Sequence, residues 1–392
     1  MALLPGFIQN INLSDRKNVL CSDLPCHLLS AVDSCKMKKT ILRTLAFSLL
    51  LAVPTFAQKP TFTVGWSIYA GWTPYHYLGK SGILKKWADK YGVTIKVQRF
   101  DYAPSLEAFV AKNIDACTMT NMEALDMPAA SGVPTTAILI GDYSNGNDAL
   151  LVRNGFQIQD LTGKKLLLVQ KTVSEYLFDR AMTMNGLRDQ IKQVRLINTS
   201  DSDIATAFLS DTSASAVVTW KPMVSQIQNQ KGITSLFNSS QIPGEILDLT
   251  VVRTEVLNRP DGAGQRFAKA LTGAWYELMT QMSGSGPATD KVLAAIAEGS
   301  EDTLESYKQQ LSTTKMFYTP QSALQYANSG DLKQKMALVR QFCFDHGLLG
   351  SKNKSADDVA IGFPDDTVQG KPDRVRLRFD SGYMQTAAQG KL

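Results

Sequence analysis

Residues 62–78 read FTVGWSIYAGWTPYHYL, and VTIKVQRF (93–100), PSLEAFVAK (104–112), IDACTMT (114–120), MEALDMPAA (122–130) and TTAILIG (135–141) follow. The β-rich runs are short and apolar. Between them, at Ile83 to Lys90, at 104–112 and at 122–130, apolar residues recur at helical spacing. The same rhythm returns with KLLLVQ (165–170), a helix over 173–185, QVRLIN (193–198), DIATAFLS (203–210), SAVVTW (215–220) and a helix after Pro222. Such alternation predicts βαβ units and open α/β sheets of mainly parallel strands. Ligands of such sheets sit beyond the carboxyl ends of the strands, so functional residues are sought just after strands.

Beyond TVVRTEVL (250–257) the chain turns helical, with LTGAWYELMTQM, KVLAAIAEG, EDTLESYKQQL and DLKQKMALVRQFCF, then a polar tail from about Ser351. Two α/β blocks and a helical return predict an α/β body of two lobes with a helical C-terminal extension. The chain is expected to cross over near 148–153 and to come back near 248–253. Lobe I then comprises 58–150 with 250–392, and lobe II comprises 151–249. No repeat at a period of 20 to 50 residues is evident.

The 392 residues are 44% hydrophobic and 20% charged, which excludes disordered, collagenous and multi-span membrane classes. MKKTILRTLAFSLLLAVPTFA, residues 37–57, has a basic front, an apolar stretch and small residues at its end. That is the layout of a cleaved secretory signal, and the apolar run is too short to span a bilayer core of about 30 Å. Residues 1–36 precede it without any sustained period and read as an upstream leader, with translation expected to begin at Met37. Position 58 is Gln, so no lipid-bearing cysteine follows the cut, and a periplasmic location is expected.

Residues 1–57 hold 6 Lys or Arg and 3 Asp or Glu, so the remainder carries 35 against 33 and is close to neutral. No basic block remains to track a phosphate backbone, and nucleic acid is not an expected partner. Cys117 and Cys343 remain. Cys117 lies in the strand-like IDACTMT and is read as a buried free thiol.

Signatures of catalysis are missing. Beyond residue 57 there are two histidines, His76 and His346, and no Cys-x-x-Cys, His-Glu-x-x-His, Gly-x-Ser-x-Gly or phosphate-binding glycine loop. No enzyme activity, metal or cofactor is expected, and His76 is read as a packing residue. The loop after the first strand, in contrast, puts Trp66, Tyr69, Trp72, Tyr75 and Tyr77 into twelve positions, where aromatics make up 8% of the whole chain. Tyr69 and Trp72, in the glycine-containing turn, are the candidates for ligand contact, while Tyr75 and Tyr77 serve packing or ligand equally well.

Acids and amides recur at the other strand ends: Asn121 and Glu123, then Asp142, Asn145, Asn147 and Asp148, with Glu245 and Asp248 where the chain returns. Glu175 opens the first helix of the second lobe, where Thr172-Val-Ser-Glu175 also fits a capping box. An anion site would present bare amides or Arg and Lys; here the strand ends carry acids. The expected ligand is a small planar cation or a urea-like molecule, stacked on aromatics and held by a carboxylate that offsets its desolvation. The residues expected to contact it are Ser67, Tyr69, Trp72, Asn121, Glu123 and Asp148 from the first lobe and crossover, and Ser174, Glu175, Trp220 and Asp248 opposite or at the return.

GWSIYAGW, SGILKKWADKYGVTI, IDACTMTN, GDYSNGNDALL, NTSDSDI, VVTWKP, SSQIPGEILDL, GAWYE and the tail VRLRFDSGYMQTAAQGKL together resemble one group of proteins. These are the periplasmic binding proteins of ABC transporters encoded with urea carboxylase, a branch of the nitrate/sulfonate/taurine binding-protein superfamily. The resemblance covers about 62–392. It implies a two-lobed periplasmic binding protein fold of type II, a monomer that captures a small nitrogenous solute such as urea or guanidinium, and delivery to a membrane permease. The alternatives are an anion such as nitrate, a sulfonate or taurine; an enzyme of the thiamin-pyrimidine synthase type on the same fold; and a sensory module.

Overall fold

The computed structural model describes residues 58–153 and 155–392. The leader expected at 1–36 and the signal segment at 37–57 lie outside the described residues. The chain begins with β1 (Thr61–Trp66), α1 (Pro74–Lys80), α2 (Ile83–Lys90), β2 (Thr94–Arg99) and α3 (Tyr102–Val110). It continues with β3 (Ala116–Thr120), α4 (Asn121–Ala124) with a π-helical turn at Leu125–Ala129, β4 (Thr135–Ser144) and β5 (Ala149–Arg153). A second run holds β6 (Lys165–Leu168), α5 (Val173–Met184), β7 (Arg195–Asn198), α6 (Ile204–Ser210), β8 (Ala214–Thr219), α7 (Met223–Gln228) and β9 (Ile233–Asn238). The return comprises β10 (Leu247–Arg253), α8 (Thr254–Leu257), α9 (Ala263–Met282), α10 (Pro287–Ala297), α11 (Leu304–Ser312), β11 (Thr314–Met316), α12 (Pro320–Ala327) and α13 (Gly330–Asp345). The chain closes with β12 (Ala360–Gly362), β13 (Val368–Gln369), β14 (Val375–Phe379) and α14 (Gly382–Ala388).

Two sheets result. The larger has nine strands in the order β13-β12-β14-β4-β10-β3-β1-β2, with β11 also on β4; the smaller runs β7-β6-β8-β5-β9. Every residue of β3 and β10 is buried, as central strands require, whereas β2 at the edge is half-exposed. The connections between the sheets run at 145–148 outward and 239–246 back. They are laced together: Ser144 Oγ and Ser239 Oγ lie 2.6 Å apart, and the Gly146 N–H donates to Ser239 Oγ at 2.7 Å.

Mainly parallel strands were expected, but each sheet is mixed, because the crossing strands enter from the far side. β10 is antiparallel to β3 and to β4, and β5 is antiparallel to β8 and β9. The register has a chemical consequence, since Asp248 pairs with both Thr120 and Asp142. Three strand ends, distant in sequence, thus meet at one place.

The long α9 holds the first lobe together. Phe267 stacks on Phe62 with centroids 4.5 Å apart, and Trp275 stacks on Tyr75 at 5.3 Å. Each such buried aromatic contributes on the order of 2 to 3 kcal/mol. Gly273 lets Trp87 lie on the helix, because a Cβ there would come within 2.4 Å of its ring. The tail after Ser351 is no loose polar extension. β14 joins the large sheet parallel to β4, with Leu377 opposite Thr135 and Phe379 opposite Ala137. Cys117 and Cys343 are both free and buried.

Candidate functional site

The turn after β1 carries the aromatic side of the site. Tyr69 and Trp72 lie with ring centroids 5.0 Å apart, Trp72 and Tyr102 are 5.2 Å apart, and Tyr102 meets Trp220 edge-on at 5.8 Å. Trp220 comes from the second lobe, just past β8, and its indole N–H donates to the Ile68 carbonyl at 3.0 Å across the crevice. Tyr69, Trp72, Tyr102, Thr120, Asp148, Val173, Trp220, Ile246 and Asp248 line a tight cavity of about 10 Å³, the room of a single water. The Trp72 indole N–H is buried without a partner. Both lobes therefore close on the aromatic cluster.

The turn reaches so far inward because residue 71 is glycine. A Cβ at that position would come within 2.0 Å of the Asp142 carboxylate. Tyr69 Oη donates to Asp142 Oδ1 at 3.3 Å. Asp142 and Asp248, cross-strand neighbours, stand within hydrogen-bonding range of each other, and one oxygen of each is buried without any protein donor. Asp148 accepts from Ser144 Oγ at 2.5 Å in the crossover itself.

All three carboxyls are buried, and their ion-pair partners, where Lys or Arg would be expected, are missing among the described residues. Burial pushes Asp142 and Asp148 up to about 7, and Asp148 adds repulsion to Asp142. Asp248 is pushed well above the usual carboxylate range by burial and then by Asp142 beside it. Two adjacent carboxylates with no base between them cannot both ionise, so protons stand in for the missing cation. Among the described residues no group of three or more His, Cys, Asp or Glu is arranged to hold a metal ion. What the arrangement can do is accept donors from a small, positively charged or strongly polar body while aromatic faces cover it.

The residues singled out from sequence fall into two groups. Tyr69, Trp72, Asp148, Trp220 and Asp248 line the cavity. Glu123 stands behind Thr120 and Tyr102 and accepts from the Val173 N–H at 2.8 Å. Asn121 differs from expectation: its amide donates to the Glu245 carbonyl at 3.1 Å and accepts from the Leu247 N–H at 3.0 Å, so it is used up in fixing the returning strand. Glu175 differs too, because its carboxylate accepts from the Lys171 N–H at 2.8 Å and lines an outer groove with Asp179, Arg188 and His346. Ser67 and Ser174 are buried with unpartnered hydroxyls but do not line the cavity.

Tyr75 and Trp66 belong to the packing of the lobe, Tyr75 through Thr250 at 2.6 Å and Trp66 edge-on against His76 at 6.0 Å. Sequence reasoning missed Tyr102, Thr120, Val173 and Ile246 as lining residues and left Asp142 out of the expected contacts. Tyr102 opens α3 two residues after VTIKVQRF, and Thr120 ends IDACTMT. The strand-end rule could have found both. Ile246 and Val173 enclose space without a chemical signature.

No family model matches the sequence, and no curated protein matches it. Solved structures match by shape. The alkanesulfonate-binding protein SsuA from Xanthomonas axonopodis pv. citri, bound to MOPS, has a TM-score of 0.60 at 14% identity, over 76% of this chain and 96% of that one. The periplasmic nitrate-binding protein NrtA from Synechocystis PCC 6803 gives 0.52 at 10% identity, over 84% and 99%. A Candida albicans protein described as having the generic periplasmic binding protein fold gives 0.53 at 12%, over 71% and 90%. The chain has the periplasmic binding protein fold.

Proposed function

We propose that the protein is the solute-binding component of an ABC importer, holding a small planar nitrogenous solute between its lobes and presenting the closed form to a membrane permease. Guanidinium is the first candidate and urea the second. One observation carries this reading: the buried carboxyls of Asp142, Asp148 and Asp248 gather beside an aromatic-lined cavity with no Lys or Arg paired to them. A buried carboxylate without a partner costs several kcal/mol, and a bound cation removes that cost. In this reading Asp248 and Asp148 face the N–H donors of the solute, Tyr69, Trp72 and Tyr102 cover its faces, and Trp220 closes the far side. No residue is assigned a catalytic role. The association with urea carboxylase and the periplasmic location belong to the same proposal, the latter resting on the export signal at 37–57.

The names of the structural neighbours favour a second reading, an oxyanion ligand such as nitrate or a sulfonate. Nitrate, urea and guanidinium are all planar bodies of four heavy atoms, so charge has to decide among them. Calorimetric titration of residues 58–392 with guanidinium, urea, nitrate and taurine tests the proposal. Heat with guanidinium or urea alone is the expected result. Heat with nitrate or taurine, and none with guanidinium or urea, overturns it.

A further inference from the structure

The two lobes cap each other's helices. The Val173 N–H, at the amino end of the twelve-residue α5 in the second lobe, donates to Glu123 Oε1 of the first lobe at 2.8 Å. In the opposite direction, the Tyr102 N–H at the start of α3 in the first lobe reaches the Asp201 carboxylate of the second lobe at 3.2 and 3.4 Å. A helix amino end carries unpaired N–H groups and a partial positive charge, which makes it the place a protein offers an oxyanion. Each of these two ends is taken by a carboxylate from the other side.

Glu123 is wholly buried and is held as an acceptor. Thr120 Oγ1 accepts from the Met122 N–H, which directs its own proton to Glu123 Oε2. The Tyr102 hydroxyl accepts from the Thr120 N–H and lies beside Glu123. Burial raises Glu123 above the usual carboxylate range, and the Thr120 hydroxyl and the Val173 N–H that donate to it offset part of that rise. Asp148 and Asp126 face it as further acids. A second observation marks the same first turn of α5: the Ser174 hydroxyl is wholly buried and has no partner.

We propose that the Glu123 carboxyl is a built-in acceptor that fills the oxyanion position of α5 and so restricts the closed site to cationic or neutral solutes. The proposal rests on the reading of the protein as a two-lobed binder and sharpens its choice of substrate class. Nitrate placed at the Val173 N–H would occupy the seat of the Glu123 carboxylate and keep the lobes from meeting; guanidinium would not. Asp201 makes the reciprocal contact at α3, so closure joins two carboxylate caps and takes the Tyr102 and Val173 N–H groups that a solute would otherwise meet.

The test vacates the seat and offers it a small carboxylate. Wild type, Glu123→Ala and Glu123→Gln, each as residues 58–392, are titrated calorimetrically with formate at neutral pH. Glu123→Ala is expected to bind formate about tenfold or more tightly than wild type, the scale of one charge-assisted hydrogen bond. Glu123→Gln, whose amide oxygen still accepts from the Val173 N–H, is expected to show no gain. Should Glu123→Ala fail to fold alone, formate must recover its cooperative melting while leaving Glu123→Val, which fills the volume without an acceptor, unrecovered. Absence of a formate gain, or of that recovery, overturns the proposal. Titration of wild type with guanidinium separates the two readings. Formate gain without guanidinium binding sinks the ligand assignment alone, and guanidinium binding without formate gain sinks the role of Glu123 alone.

Discussion

Asp365, on an exposed turn near the C-terminus, sits 2.5 Å from the Lys333 ammonium and is held down to about 2 by it. Asp148, in the crossover between the lobes, has only a serine hydroxyl beside it, and burial pushes it up to about 7. The contrast extends to their neighbours. Asp89, also on the surface, is held near 2 by Lys59 and Lys85, whereas Asp142 and Asp248 share the crevice with Asp148 and meet no cation. The same side chain thus has two fates. At the surface the protein supplies the counter-charge and water screens the pair, so little depends on it. In the crevice the described residues supply no counter-charge, and under the proposed function a bound cation provides it.

Removing one crevice carboxylate tests that contrast most severely. Asp248→Asn keeps the shape and removes the charge. Breaking a buried ion pair from one side costs about 3 kcal/mol or more, so guanidinium affinity should fall at least about a hundredfold by calorimetry. Wild-type affinity in this variant would show that the crevice acids do not hold the ligand. Trp72→Ala removes an aromatic face and is expected to cost about thirtyfold, on the scale of a desolvated cation–π contact. A neutral ligand would lose less.

Acidity gives the third test. A proton on Asp142 or Asp148 competes with a cation, so guanidinium affinity should drop about tenfold from pH 8 to pH 6. The stability of the empty protein moves oppositely. The folded pKa values are raised above 3.8, so the protonated groups favour the folded state fully below about 4, and that contribution is lost as pH rises through about 7. The melting temperature of the empty protein should therefore decline across this window, and saturating guanidinium should flatten the decline. Asp148→Asn should flatten it as well.

Trp220→Phe deletes the indole bond to the Ile68 carbonyl while keeping a ring over the cavity. One hydrogen bond of about 1 kcal/mol predicts a loss of about fivefold, read mainly in the dissociation rate. The smallest effect belongs to the surface set. Lys333→Ala strips Asp365 of its partner and should leave both ligand affinity and melting temperature within error. A large effect there would erase the distinction between the two sets of acids.

Much of the fold was legible because it rests on local patterns. Alternating apolar runs such as Phe62–Val64 and the helical spacing of Val173–Met184 are written in neighbouring residues, and so are the α/β class and the strand-end position of the aromatic turn. The cavity residues Tyr69, Trp72, Asp148, Trp220 and Asp248 were within reach of that rule. Asn121 and Glu175 were not separable from them. An amide that fixes a returning strand and an acid that caps its own helix look the same in sequence as a ligand contact, and only the partner distinguishes them. The tail was read as polar for a related reason: β14 alternates apolar and charged residues over only Val375–Phe379, between polar turns, and its place in the sheet comes from pairing with β4, some 240 residues earlier in the chain.

Sequence by itself determined the α/β rhythm, the concentration of aromatics after the first strand and the surplus of acids at strand ends, because each is a property of residues near one another along the chain. Only the tertiary structure decided which acids stand together. β10 enters between β3 and β4 antiparallel to both, and that register sets Asp248 against Asp142 and Thr120. It likewise brought Glu123 to the amino end of α5 and Asp201 to that of α3. The charge that a carboxyl group carries depends on what shares its buried space, and that space is made by segments 50 to 130 residues apart.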